Sequence, residues 1–359
     1  MSAVLSAMSR KPRLHPSIFH LPVERMREGY YSDKYFVRTR ELLLKDGHRP
    51  CVTMQVFGKA HAFLGGIDEA IAILKLCSTE WDELQVYALY DGDEIEPWET
   101  VLLIEGPYDA FAHLETLYLG VLARRTKVGT NTRRVVDAAR PKQVMFFPAR
   151  HDHWLVQTGD GYAAHIAGAI GVSTDAQASW WGSEGVGTVP HALIAAYGGD
   201  TVLASRKFAE RMDPGVRLIT LVDFENDCVN TSLAVARALG ERLHGVRIDT
   251  SETLVDESVI PQMGTFKPTG VNPQLVRNVR GALDREGFRF VKIVVSGGFT
   301  VEKIRQFEEE DVPVDMYGVG SSLFQGRFDF TADVVRVEGK AVAKVGRSYS
   351  PNPRLERVE

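Results

Sequence analysis

FVKIVVSGGFTVEKIRQFEEEDVPVDMYGVGSS, residues 290–322, holds the pattern that decides the fold. An apolar run (290–296) ends in Ser296-Gly297-Gly298, a helical pattern follows, and a second apolar run (314–318) ends in Gly318-Val319-Gly320-Ser321. A short buried strand, a glycine-rich turn, a helix and another short strand make the βα unit of a parallel sheet. The same rhythm runs backwards through the chain, with apolar runs at 143–147, 169–173, 186–189, 218–223 and 245–249. Seven runs result. A closed (β/α)₈ barrel needs eight, so either one strand is hidden or the barrel is incomplete.

Outward from this region the texture changes. Up to about residue 100, strand-like pieces (51–56, 85–90, 100–104) mix with a helical one, IDEAIAILKL at 67–76. Asp91-Gly92-Asp93 is a turn signal between two of the strands. This predicts a small α/β sandwich. Stretches 108–125 and 129–139 contain no proline and predict linking helices. The tail at 329–345 alternates apolar and polar residues around Gly339, as a hairpin returning to the first domain would. The predicted organisation is a sandwich with linking helices over 1–140, a barrel over 141–325, and returning strands over 326–359.

The composition fits an ordinary globular enzyme. The 359 residues suit two domains, one of them large. A formal charge of −5 (42 Lys+Arg against 47 Asp+Glu) gives no basic excess for a nucleic-acid partner. Cys51, Cys77 and Cys228 are far apart and odd in number, against a disulfide framework or a structural zinc site. No long apolar run predicts a membrane span. The first residues lack the order of a signal peptide, since Arg10, Lys11 and Arg13 follow the apolar stretch. A cytoplasmic protein is expected.

In a parallel barrel the functional residues stand at the C-terminal ends of the strands. Here those ends carry Arg150; Thr174 and Asp175; His191; Asp223 and Glu225; Asp249, Thr250 and Ser251; Ser296, Gly297 and Gly298; and Gly318, Gly320 and Ser321. Glycines in the last two loops let backbone N–H groups approach an anion, and a following helix N-terminus adds a favourable dipole. Two such loops in the final positions point to a phosphate; alternatively they are only turns. Asp223 and Asp249 close apolar strands, where an unpaired carboxylate is costly. Ribose hydroxyls, Mg²⁺-pyrophosphate or an arginine would satisfy them, as would helix capping. Arg124, Arg125, Arg133, Arg134 and Arg150 cluster near the predicted boundary, and Arg150, directly after a strand, best suits an anion. His191 is structural or catalytic. His151-Asp152-His153 has no further ligands at metal spacing.

The residues carry a pattern that resembles the nicotinate phosphoribosyltransferase family and, more distantly, quinolinate phosphoribosyltransferase. The resemblance runs from about Tyr31 to Lys344. It rests on Ser32-Asp33-Lys34-Tyr35-Phe36, Glu105-Gly106-Pro107-Tyr108, Phe147-Pro148-Ala149-Arg150, Gly187-Thr188-Val189-Pro190-His191, Leu221-Val222-Asp223, Gly245-Val246-Arg247-Ile248-Asp249-Thr250 and the two glycine loops. It implies an incomplete barrel of about seven strands, an N-terminal α/β sandwich, and a homodimer whose site the neighbouring subunit completes. It also implies roles. Tyr35 would stack on the pyridine ring, and Arg150 would hold its carboxylate or the pyrophosphate. Thr188, Arg247, Asp249 and Thr250 would line the substrate. Ser296 to Gly298 and Gly318 to Ser321 would hold the 5′-phosphate. His191 would be phosphorylated by ATP, and Mg²⁺ would accompany the pyrophosphate. The implied reaction joins nicotinate to phosphoribosyl pyrophosphate; quinolinate, nicotinamide or a non-catalytic phosphate-binding barrel are the alternatives. The chain departs from the family at His151 (usually arginine), at Pro190 and Ala192 around the histidine (usually Ala and Ser), and in lacking a four-cysteine module some members carry.

Overall fold

Strand β1 (Cys51–Gly58) is buried at every residue but the first, as a strand flanked on both edges and covered on both faces must be. The computed structural model describes residues 12–359; the leader reading of the first residues falls largely outside them. After β1 come β2 (Ala62–Phe63), β3 (Gln85–Ala88), β4 (Glu94–Ile95) and β5 (Thr100–Pro107). The helix Ile67–Cys77 packs its apolar residues into the same core, with Leu64, Leu102 and Ile104 fully buried beside it. Its first N–H groups have a distant cap: Asp91 Oδ1 accepts from Ile67 N at 2.8 Å, and Oδ2 from Asp68 N at 3.3 Å. The turn read at residues 91–93 thus also starts a helix. A single 25-residue helix, Glu115–Ala139, follows.

The second compact unit spans Asn131–Gln325, so the division falls inside that helix. The sequence-based boundary stands at the helix's end. This unit holds β6 (Gln143–Phe146), β7 (Gly171–Val172), β8 (Leu218–Leu221), β9 (Leu243–Ile248), β10 (Lys292–Val295) and β11 (Met316–Val319). All neighbours are parallel, in the order β7-β6-β11-β10-β9-β8. First and last runs therefore lie side by side, and the sheet curls. The seventh run, 186–189, stands between the two edges. Val186 N–H donates to Val172 O at 2.8 Å, and Val189 N–H donates to Ile219 O at 2.8 Å. A lone parallel bridge, Val189↔Thr220, is all the ladder it makes. Gly187 weakens it as a strand and Pro190 has no N–H to extend it. The incomplete seven-run barrel read from the sequence is the fold, with one stave reduced to a bridge.

The chain then returns to the first unit, which comprises residues up to Thr130 together with Gly326–Glu359. There β12 (Phe330–Val337), β13 (Lys340–Ala341) and β14 (Glu356–Arg357) complete an antiparallel sheet in the order β13-β12-β1-β5-β3-β14. The hairpin expected around Gly339 is β12–β13, with Gly339 at φ +73°. Among the described residues no helix is long and apolar enough to cross a membrane.

Candidate active site

Side chains two apart on a strand share a face, so Arg247 and Asp249 point the same way at the end of β9. Arg247 is the hub of the barrel mouth. Its Nε donates to Ser296 Oγ at 2.8 Å, one Nη to Thr188 Oγ1 at 3.2 Å, and the other to Asp249 Oδ2 at 3.3 Å. Ser296 Oγ in turn donates to Asp249 Oδ1 at 2.7 Å. The guanidinium lies over the Phe147 ring, 5.0 Å from its centroid. Residues following β6, β9 and β10 and one from the bridging run thus meet at one cation. Burial pulls the Arg247 pKa down; Asp249 and Asp223 oppose this, and Arg150 adds repulsion. Arg150, exposed on the turn Ala149–His151, is therefore within electrostatic reach of the hub.

His191 opens the helix His191–Ala196 directly after the bridging run. Its Nε2 is 3.1 Å from Asp223 Oδ2. That hydrogen bond is the main reason its pKa is raised; partial burial opposes it, and Asp223 and Asp249 add to it. The Asp223 side chain is only 6% exposed, and its Oδ1 has no hydrogen-bond partner among the described residues. A buried carboxylate oxygen left unsatisfied costs about 1–3 kcal/mol or more, so it offers a docking point for a donor or a cation.

The two glycine loops flank this cluster. Gly297 and Gly298 have φ of +87° and +66°, a backbone that other residues resist. A β-carbon on Gly297 would stand 3.3 Å from Asp249 Oδ1. Gly318 serves a different need: a β-carbon there would lie 2.5 Å from the Phe147 ring, so its absence makes room for the aromatic that backs Arg247. Gly320 lies against His151, 3.0 Å from the ring on the same measure. Ser321 opens the turn Ser321–Phe324, and Thr300 caps the helix Val301–Glu309.

The structure thus gathers Thr188, His191, Asp223, Arg247, Asp249, Ser296 and the glycine loops at one end of the barrel. Thr250 is buried beside Cys228, whose thiol burial pushes well above its usual pKa. Tyr35 stands in the first unit, exposed in the first turn of the helix Lys34–Asp46. Arg125, also in that unit, is buried in an ion pair with Glu69 at 2.9 Å, and Arg133 pairs with Asp137 at 3.0 Å. Among the described residues no group of three or more His, Cys, Asp or Glu is arranged to hold a metal. Sequence reasoning passed over Phe147 as a support for Arg247, although the ring stands in a quoted motif. It also passed over Lys303, whose Nζ donates to Gly297 O at 3.2 Å; its position three residues past the Thr300 cap was the available signal.

Comparison with known proteins fits this geometry. The profile of the quinolinate phosphoribosyl transferase N-terminal domain matches residues 33–126. The crystal structure of nicotinate-nucleotide pyrophosphorylase from Pyrococcus furiosus is 33% identical, with a TM-score of 0.79 over 94% of this chain and 85% of that one. The chain belongs to the nicotinate/quinolinate phosphoribosyltransferase family. Nicotinate phosphoribosyltransferase pncB1 of Mycobacterium tuberculosis is 29% identical over 90% of this chain and 76% of its own length. Human nicotinic acid phosphoribosyltransferase shares the fold, with a TM-score of 0.67 at 18% identity over 89% of this chain and 77% of the human one. The chain is a phosphoribosyltransferase, and its barrel mouth is the place to look for the family's chemistry.

Proposed function

We propose that the chain joins nicotinate to phosphoribosyl pyrophosphate, giving nicotinate mononucleotide and pyrophosphate in NAD biosynthesis. The observation that carries this reading is the Arg247 hub, a partly buried cation bonded to Asp249 and to Ser296 of the glycine loop and held in the field of Asp223. The pyridine nitrogen attacks C1 of the ribose, and the C1–oxygen bond breaks with its electron pair leaving on pyrophosphate. The ring nitrogen is already nucleophilic and needs no general base. The protein's part is positioning and charge stabilisation. Ser296 to Gly298 and Gly318 to Ser321 receive the 5′-phosphate. Arg247 faces the leaving group, and Arg150 takes the pyridine carboxylate or the pyrophosphate. Asp249 and the free oxygen of Asp223 hold ribose hydroxyls or the cationic sugar. Those same two oxygen donors suit Mg²⁺, which prefers oxygen ligands and substrate phosphates; bound with pyrophosphate it would neutralise the leaving group.

ATP coupling belongs to the same reading. With Asp223 accepting from Nε2–H, the lone pair of His191 is on Nδ1, the atom available to a phosphoryl group. His191→Ala should then abolish ATP stimulation and leave basal synthesis. A homodimer and stacking of Tyr35 on the pyridine complete the proposal; Tyr35→Leu should raise KM for nicotinate.

Quinolinate is the second reading, favoured by the name of the domain that matches residues 33–126. The test is product formation from labelled nicotinate, phosphoribosyl pyrophosphate and Mg²⁺, with and without ATP, against quinolinate in parallel. A mononucleotide from nicotinate is expected. Product from quinolinate alone would change the base. No product from either would overturn the proposal.

A further inference from the structure

Beside the glycine loop after β10 lies a cavity of about 480 Å³, bounded by Glu252, Lys267, Asn272, Arg277, Gly298 and Lys303. It is not accounted for by the Arg247 cluster. Its charge has an unusual layout. Arg277 is answered locally: one guanidinium nitrogen donates to Glu310 O at 2.6 Å and lies 3.5 Å from its carboxylate. Two lysines and one glutamate remain. Lys303 is partly buried, with its ammonium tied to Gly297 O and lying 4.4 Å from the Phe299 ring centroid. Its charged neighbours are Glu252, which favours the ammonium, and Lys267, which opposes it.

Glu252 itself is exposed, in a turn where Leu254 N–H donates to Ser251 O at 3.0 Å and Gly270 N–H donates to Leu254 O at 2.8 Å. Its carboxylate leans onto the glycine loop. A β-carbon built on Gly298 would clash with Glu252 Oε1. An anionic group of the chain thus lies against the loop that the proposed function gives to a phosphate. Removing it leaves two lysines without a carboxylate, a charge that matches a phosphate monoester near −2. An exposed side chain can swing away at little packing cost.

We propose that Glu252 is a built-in counter-anion of the glycine-loop cradle, and that a phosphate monoester displaces it to bind against Gly298, Lys303 and Lys267. The inference rests on the proposed function only in taking these loops as the phosphate site. It adds two cationic contacts and a competing carboxylate to that site.

The experiment is calorimetric binding of ribose 5-phosphate to the full chain and to E252Q, K303M and K267M, with the melting temperature of each recorded. Glutamine keeps the size of Glu252 and removes only its charge. E252Q should bind about five- to tenfold more tightly, and K303M about tenfold more weakly. K267M, on an exposed lysine, reports the same balance if K303M fails to fold. E252Q binding no more tightly at an unchanged melting temperature would overturn the proposal. Nicotinate turnover by the parent chain is read alongside. Turnover without tightening in E252Q defeats this inference and leaves the reaction standing. Tightening without turnover of any pyridine does the reverse.

Discussion

Arg247→Met separates a residue that serves the fold from one held for chemistry. Three hydrogen bonds from a charged donor would contribute about 1.5–3 kcal/mol each at good geometry. Only the bond to Ser296, at 2.8 Å, is short; the others are 3.2 and 3.3 Å. Against them stands the desolvation of a guanidinium whose pKa burial already depresses, a cost of several kcal/mol. The two oppose each other, and since the Arg247 and Asp249 side chains are 19% and 21% exposed, water takes up much of what the substitution leaves unpaired. R247M should therefore lose no more than about 2 kcal/mol of stability, or under about 8 °C in melting temperature. Activity should respond quite differently. On the proposed placement of Arg247 opposite the leaving group, losing this preorganised cation costs about 3–4 kcal/mol of transition-state stabilisation, or 10²–10³ in kcat/KM. R247K keeps the charge without the three-way fork and should lose about 10–100-fold. The assays are thermal melting and steady-state synthesis of the mononucleotide. A folded R247M with kcat/KM within about threefold of the parent would refute the reasoning. So would a stability loss above about 5 kcal/mol, which would make Arg247 structural.

Other predictions follow from particular contacts. Gly120 is exposed inside the helix Glu115–Ala139, and nothing lies within 4 Å of a β-carbon built there. Gly120→Ala should stabilise the chain by about 0.5–1 kcal/mol in denaturant melts, whereas Gly298→Ala, at φ +66° beneath Glu252, should cost about 1–2 kcal/mol and weaken phosphate binding. Burial, with help from Asp333 and Asp33, raises Glu115 to about 8. A raised carboxyl takes up a proton on folding, so its contribution falls as pH rises from the ordinary carboxyl range to about 8. Glu115→Gln should flatten that slope and stabilise the protein at pH 8 by on the order of 1–3 kcal/mol; an unchanged pH profile of the melting temperature would refute the assignment. The raised His191 pKa has the same sign: its contribution is complete below the unfolded histidine value and is lost as pH climbs through the folded one. With 43% of the side chain exposed the effect on stability is small. The ring titration by NMR is the sharper readout, and Asp223→Asn should move it down.

The barrel was legible because its strands are short apolar runs punctuated by small and polar residues, and that alternation is local. The bridging run was legible as apolar but not as a lone bridge, since its weakness comes from what Gly187 and Pro190 deny to two neighbours far away in sequence. The same limit applied at the site. Glycines at strand ends announce themselves, whereas the partners of Arg247 lie 59, 49 and 2 residues away and only the fold brings them together. In the sequence alone Lys303 is one more charge on an amphipathic helix, and Glu252 one more loop acid. Their meaning depends on which way a carboxylate leans, and no periodicity records that.

β1 lies between β5, which follows it closely, and β12, which begins at residue 330. During synthesis the ribosome must add all of residues 131–325 before that second edge can be closed. At roughly 5–20 residues per second this leaves an apolar strand with unpaired amides for on the order of tens of seconds, the kind of edge that recruits other chains. The barrel can be complete on the nascent chain while the sheet that precedes it is still open. Premature termination ahead of β12 should therefore give aggregation through the first unit, not through the barrel, and translation speed across the barrel becomes a determinant of yield.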